Sequence, residues 1–350
     1  MIVIGDRSSA HLIKWVAAYN RKFSKIAVLS DTFHSKIHNS YLHALLSLFL
    51  HCVLFCKVIW FVLCTKRIFH VHYVSRYSLV SLLIPSKRLV SYIWGSDVQR
   101  APIQYPCLKK VIVFNLNRSS MLVASSPSLI ESIALLGVNQ SVCEVPFGVP
   151  RSLVKMSAEY KITSLSKIRI GCFKYCRIKV YGLDEVLNFV NNLVVRTGLN
   201  VELYLIDAGP DIIELKSRLG RLDERVKIIF LPSFTDAVDI VKYFEKIDFS
   251  CYLSRRESFG VSVVESFSQG VPVIGARVGG ISRLIDHGVD GLFYDSSCIS
   301  ESIDWVLSFI SQPEKYTQIA LSGLNKVRDN YIWEDNFEKF CVEYRKIFLS

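Results

Sequence analysis

Short apolar runs alternate with helix-period segments along almost the whole chain, and this alternation limits the possible folds more than any other feature. In the first half Ile2–Ile4, Ile26–Ser30, Phe69–Val74, Leu89–Ile93 and Val111–Phe114 read as strands. Ala10–Lys22 and Ser128–Leu136 read as helices, the latter ended by Gly137. A polar, unpatterned stretch, Met156–Lys167, reads as a linker. A second series then opens with strand Ile168–Phe173 and helix Leu183–Val195. Strands Val201–Ile206, Val226–Phe230, Phe249–Leu253 and Val271–Ile274 follow, with helices Asp211–Leu219, Ala237–Glu245 and Val261–Ser268 between them. Strands that are apolar on both faces need cover on both, which means parallel sheets flanked by helices. The expected fold is therefore α/β, with two doubly wound, Rossmann-like parallel-sheet domains facing a cleft. Ligands in such sheets bind at the carboxyl ends of the strands. A chain of 350 residues, 51% apolar and 21% charged, has the length for two domains and the core to hold them.

Charge is divided unevenly between the two series. Residues 1–166 carry 19 Lys and Arg against 6 Asp and Glu, a balance of +13, whereas residues 167–350 carry 23 against 25. A basic half points to nucleic acid, an anionic membrane or a phosphorylated substrate. The cations are dispersed and no nucleic-acid reader module is visible, so a nucleic-acid partner is not expected.

Three further features bear on location. Met1 is followed at once by Ile2-Val3-Ile4, with no charged segment or cleavage site of a secretory signal. The ten cysteines form no C-x-x-C pair and read as thiols in a reducing, cytoplasmic compartment. Tyr41–Cys64 is interrupted only by His43, Ser47, His51 and Lys57, and about 20 such residues span a bilayer. Three readings stand: a buried core helix, a helix lying on the membrane, or a spanning helix with Lys57 inside it.

Several chemistries are disfavoured. There is no G-x-x-x-x-G-K-[ST], and the first strand leads into Gly5-Asp6-Arg7-Ser8-Ser9 rather than G-x-G-x-x-G. Neither a G-x-S-x-G elbow nor H-E-x-x-H occurs. The informative segment runs from Ser254 to Gly291. A strand ends near Leu253, a loop carries Glu257, and Ser258-Phe259-Gly260-Val261 leads into a helix whose first N–H groups offer a phosphate site. Glu265 lies two helical turns beyond Glu257, placed for ribose hydroxyls. Gly279-Gly280 opens a second possible amide cradle.

The Glu257–Glu265 spacing followed by Gly270-Val271-Pro272-Val273-Ile274 resembles the donor-site signature of retaining glycosyltransferases of family 4, which have the GT-B fold. Val278-Gly279-Gly280-Ile281 and Gly288-Val289-Asp290-Gly291 extend the resemblance. Ile170–Lys174 with Lys179–Leu183 resembles the loop whose cationic pair grips the donor diphosphate, here Lys174 and Lys179. In the first half, Trp94-Gly95-Ser96-Asp97-Val98, His70-Val71-His72-Tyr73, Ser8–Trp15 with His11, and Pro146-Phe147-Gly148-Val149 resemble a bacterial surface-polysaccharide subgroup. Trp94, Pro150 and Ser282-Arg283 depart from the family, which often has His, Asp and Pro-Glu there. The run Trp333–Ile347 resembles the family's last helix, with Phe337, Phe340 and Tyr344 as core packing.

The resemblance implies an acceptor-binding domain over 1–160, a nucleotide-sugar donor domain over 161–328, and a final helix, 329–350, crossing back to the first domain. It implies a UDP- or GDP-linked donor, retained anomeric configuration, and a lipid-linked or polysaccharide acceptor in surface-glycan biosynthesis at the inner membrane face. Glu257 and Asp97 are the expected catalytic pair. Lys174, Lys179, Ser258, Phe259, Gly260, Val261 and Glu265 are expected on the donor, and His11 and Trp94 on the acceptor. No Asp-x-Asp occurs, and neither metal nor cofactor is expected. Two alternatives remain for Asp97 and His11, a turn cap and a helix-start residue. His70 and His72 share one strand face, as a core pair or a metal pair. Arg255-Arg256 sits on phosphate or at a solvated loop tip. A catalytically silent partner in a polysaccharide assembly is the alternative for the chain as a whole.

Overall fold

A computed structural model describes residues 1–23, 25–31, 40–233 and 237–349, with side chains described outside 40–45 and 237–238. The chain divides into two compact units, Met1–Val145 with Phe337–Ser350, and Pro146–Asn336. Each is built on a six-stranded sheet in which all pairings are parallel.

In the first unit the strands are β1 (Ile2–Ile4), β2 (Ala27–Leu29), β3 (Phe69–His72), β4 (Leu89–Ile93), β5 (Met121–Ala124) and β6 (Val142–Glu144), in the order β2-β1-β3-β4-β5-β6. β1, β3, β4 and β5 are buried along their whole length, which is why the first three read as apolar runs without alternation, whereas β5 was not among the expected strands. One expected strand is absent. Val111–Phe114 lies inside a helix, Pro106–Arg118, opened by Pro106 at its first position. Ile112 and Leu116, one turn apart, are buried while Phe114 is 57% exposed, so the apolar run of four covers two helix faces rather than two faces of a sheet.

The second unit holds β7 (Lys167–Cys172), β8 (Asn200–Ile206), β9 (Val226–Leu231), β10 (Phe249–Tyr252), β11 (Val273–Ala276) and β12 (Gly291–Tyr294), ordered β12-β11-β10-β7-β8-β9. β7, β8 and β9 run outward in one direction, and the chain then returns to lay β10 on the other side of β7. The reversal between β7 and β10 leaves a crevice above their carboxyl ends. The stretch expected as a linker is irregular but tied to this unit. Lys155 N–H donates to Ser268 O (3.0 Å), Tyr160 Oη to Phe309 O (3.0 Å) and Lys161 Nζ to Phe244 O (3.0 Å). The observed divisions after Val145 and after Asn336 therefore fall away from the expected 160 and 328. The helix Trp333–Phe348 contributes Phe337, Phe340 and Tyr344 to the first unit, where Trp15 meets Phe337 and Phe340 edge-on.

The apolar segment forms the helix Ser40–Cys64. Its part Leu46–Cys64 has a mean hydropathy of 2.3, long and apolar enough to cross a membrane, yet only 11% is buried. Leu54 and Val58 pack into the first unit's core, whereas Leu48, Phe49, Trp60 and Leu63 are exposed. A core helix would bury most of these, so that reading does not hold.

Candidate active site

The loops following β7 and β10 bring Lys174 and Glu257 together at the sheet reversal of the second unit. Lys174 Nζ lies 2.5 Å from Glu257 Oε2, with about a tenth of each side chain exposed (10% and 15%). The ammonium also faces two rings, Tyr181 at 5.1 Å and Tyr252 at 5.5 Å from the centroids. Burial works against the charged lysine, but attraction and hydrogen bonding to Glu257 outweigh it and hold its pKa above the ordinary value. The result is a cation kept charged inside the crevice by one carboxylate.

Backbone contacts fix the loops that carry this pair. Gly279 N–H belongs to a turn with φ of +46°, and a Cβ there would lie 1.9 Å from Glu257 O. Gly182, with φ of +60°, comes as close to Leu253 O, so a Cβ would also lie 1.9 Å away. Both positions require glycine, for conformation and for space. Gly280 N–H donates to Glu257 O (2.9 Å), and Arg255 N–H to Val180 O (2.9 Å). Asp211 accepts Ile178 N–H (2.8 Å), fixing the turn that bears Lys179 from the neighbouring β8 loop. The Glu257 loop is thus clamped between the turns after β7 and β11.

The helix Val261–Ser268 starts directly behind Gly260, its N-cap. Val263 N–H already donates to Gly260 O (2.9 Å), so the helix start is offered by the N–H groups of Val261 and Ser262, where the helix dipole adds positive potential. Phe259 is buried beneath, edge-on to Phe147 (5.6 Å) and Tyr331 (5.9 Å). It supports the loop rather than facing a ligand. Glu265 is half-buried on this helix. The hydroxyls of Ser254 and Ser262, on the loop and the first turn, are buried without a hydrogen-bond partner among the described residues, each an unmade bond worth about 1–3 kcal/mol. Lys179 is exposed on the turn Ile178–Tyr181. Lys174, Lys179, Ser258, Gly260 and Val261 thus lie on the segments that follow β7 and β10, where the sequence placed them.

Other expectations are revised. Arg255 is not a phosphate ligand: it pairs with Asp184 (2.7 and 3.0 Å) and donates to Ile178 O (3.1 Å), bracing the Lys179 turn. Asp97 is fully buried, and its carboxylate accepts the N–H groups of Trp94 (3.1 Å) and Gly95 (2.8 Å). Burial raises its pKa to about 6 against those hydrogen bonds. This is the turn cap, and it removes Asp97 from the catalytic pair. The turn presents Trp94, half-buried, against which exposed His11 stacks at 5.4 Å and 19°.

Beneath Trp94 the stack continues through His72 (5.4 Å) to Tyr92 (4.0 Å). Tyr19 Oη donates to Tyr92 Oη (2.7 Å), and His70 Nδ1 lies 2.8 Å from the same oxygen. Burial, with the neighbouring N-terminal charge, lowers the His70 pKa to about 3; burial and then His70 depress that of His72. Both are neutral core residues, and among the described residues no group of three or more His, Cys, Asp or Glu is arranged to hold a metal. The tyrosine partners were not read from sequence, because nothing in their spacing marks them.

Comparison with known proteins bears on the chain's class and fold. Residues 176–324, which include Lys179, Glu257 and Glu265, match the family described as Glycosyl transferases group 1. The chain is 24% identical over 295 residues to N-acetyl-alpha-D-glucosaminyl L-malate synthase of Bacillus anthracis, covering 81% of this chain and 74% of that one. Its fold matches Anabaena Alr3699/HepE, solved with UDP-glucose, at a TM-score of 0.73 and 17% identity, over 99% of both chains. It also matches the lipopolysaccharide outer core galactosyltransferase WaaB, at a TM-score of 0.68 and 14% identity, over 98% of this chain and all (100%) of that one. The fold is GT-B. The protein is a glycosyltransferase.

Proposed function

We propose that this glycosyltransferase moves a sugar from a UDP- or GDP-linked donor to a lipid-linked or polysaccharide acceptor in surface-glycan biosynthesis, with retention of anomeric configuration. Its place is the cytoplasm, peripheral at the inner membrane face. The observation that carries the reading is the Lys174–Glu257 pair beside the start of the helix Val261–Ser268.

Departure of a nucleoside diphosphate builds negative charge on the leaving oxygens. Lys174, Lys179 and the first-turn N–H groups at Val261 and Ser262 supply fixed positive potential for that charge, so no divalent ion is required. Glu265 binds the ribose hydroxyls. Glu257 accepts hydrogen bonds from the donor sugar, and with one oxygen held by Lys174 it serves as a positioning carboxylate rather than a nucleophile. His11 and Trp94 meet the acceptor. Surface-glycan assembly is supported by the charge of the first half, +13, which suits an acceptor carried on an anionic membrane.

A thermal-shift screen of UDP-, GDP- and ADP-linked sugars tests the donor. Stabilisation by one of the first two fixes base and sugar class together. Titration of that donor into Glu265→Gln and Lys179→Ala should show lost binding, and wild-type affinity in both would overturn the site assignment.

A further inference from the structure

The helix Ser40–Cys64 has two unlike faces. On one, Leu54 and Val58 are buried in the core around Ile4, Phe69 and Val71. Two polar contacts reinforce this docking. His51 Nε2 lies 3.0 Å from Asp31 Oδ2, a carboxylate with no exposed surface that Tyr77 Oη (2.8 Å) and Arg76 also hold. Arg88 donates to Val62 O (3.0 Å) and to Thr65 O at the helix end. On the opposite face Phe49, Cys52, Cys56, Trp60 and Leu63 form an exposed stripe, their spacing of three and four residues keeping them on one side. Trp60 is 57% and Leu63 78% exposed.

The charge around the stripe has one sign. Between Asp31 and Asp97 the sequence contains no Asp or Glu. Lys57 borders the stripe, Lys66 follows the helix, and Lys87 precedes the arginine that caps it. All three are exposed and none makes an ion pair among the described residues. A second copy seated on the stripe would bring two sets of these cations together with no carboxylate to balance them. A spanning helix would have to pull Leu54 and Val58 from the core and strip His51 from buried Asp31.

We propose that the helix is an in-plane anchor, its stripe sunk into one leaflet of an anionic bilayer and Lys57, Lys66 and Lys87 level with the headgroups. This deepens the membrane part of the proposed function. The same helix is tied through Asp31 and Arg76 toward Asp6, in the loop that precedes the His11 helix, so the anchor and the acceptor-side loop are one connected structure.

Flotation of the full chain with phosphatidylglycerol-containing vesicles, without donor or acceptor, tests the anchor. The protein should float with them, bind pure phosphatidylcholine far less, and be released by molar salt. Replacing Lys57, Lys66 and Lys87 with Gln should weaken partitioning about fivefold per residue. Trp60→Glu with Leu63→Glu should abolish flotation while thermal unfolding and donor binding stay unchanged. A polar maleimide should label Cys52 and Cys56 in the free protein and not on vesicles, whereas Cys107 and Cys298 label in both states. No flotation, unchanged flotation of the Trp60/Leu63 variant, or persistent labelling of Cys52 and Cys56 on vesicles would overturn the proposal. A dimer dissolved by the same variant, with no vesicle binding, would assign the stripe to a second copy. Any of these results would leave sugar transfer untouched, and lost transfer with intact flotation would count against the transferase reading alone.

Discussion

Lys174 and Glu257, 83 residues apart in sequence, meet at 2.5 Å where the second sheet reverses direction. Their pairing sets two jobs against one another, because the cation that must meet a diphosphate is already held by the carboxylate that must meet a sugar. Lys174→Met and Glu257→Gln should each lower kcat by about 10²–10³-fold. Steady-state kinetics will separate them: the lysine variant should also lose affinity for the free nucleoside diphosphate, and the glutamate variant should not.

The same pair predicts a pH limit. Because the Lys174 pKa is raised in the fold, its contribution to stability is complete below the ordinary lysine value of 10.5 and is lost as pH rises through the raised one. The stability difference between wild type and Lys174→Met, measured by urea unfolding, should stay flat from neutral pH to about 10 and shrink only beyond it.

Asp97 gives a slope of the same sign, but in an accessible pH range. Its pKa is raised from 3.8 to about 6, so below 3.8 both states hold the proton and between the two values only the folded state does. Stability relative to Asp97→Asn should therefore fall as pH rises from about 4 to 7, by roughly 3 kcal/mol. Paired urea titrations across that range check the sign as well as the size.

Two glycines in similar backbone conformations should behave differently. Gly279→Ala places a Cβ against Glu257 O and should cost about 1–3 kcal/mol in strain and most donor binding. Gly288, with φ of +80° and nothing within 4 Å, meets no obstacle, so Gly288→Ala should cost about 1–2 kcal/mol and leave donor affinity intact.

Trp94 tests the acceptor side. Trp94→Ala removes the surface on which His11 stacks, at 5.4 Å, and should raise the acceptor KM without changing donor affinity in calorimetry.

Much of this was legible in the residues. Periodicity located nine of the twelve strands described, better at their centres than at their edges: strand Leu89–Ile93 and helix Val261–Ser268 fall where expected, whereas β5, β6 and β12 were not read, and β6, Val142–Glu144, is short, half-exposed and gave no apolar run. Val111–Phe114 misled because a run of four carries too little length to distinguish a helix from a strand. Lys174, Glu257 and the glycine turns were visible as a motif. That Arg255 braces a turn was not, since its partner Asp184 is set by tertiary packing, and for Asp97 the turn cap was one of two open readings that only the Trp94 and Gly95 N–H groups decide.

The clamp around Glu257 is made of main-chain atoms: a glycine edge against a carbonyl at 279, another at 182, and N–H donors from 280 and 255. A frame of that kind is indifferent to most side chains mounted on it. Ser282, whose hydroxyl rests on Gly279 O at 2.7 Å, and exposed Arg283 can change identity while the clamp keeps its shape. Donor preference is thereby separable from donor-site architecture, and a new sugar could be recruited by exchanging a few protruding groups without refolding the loop beneath them.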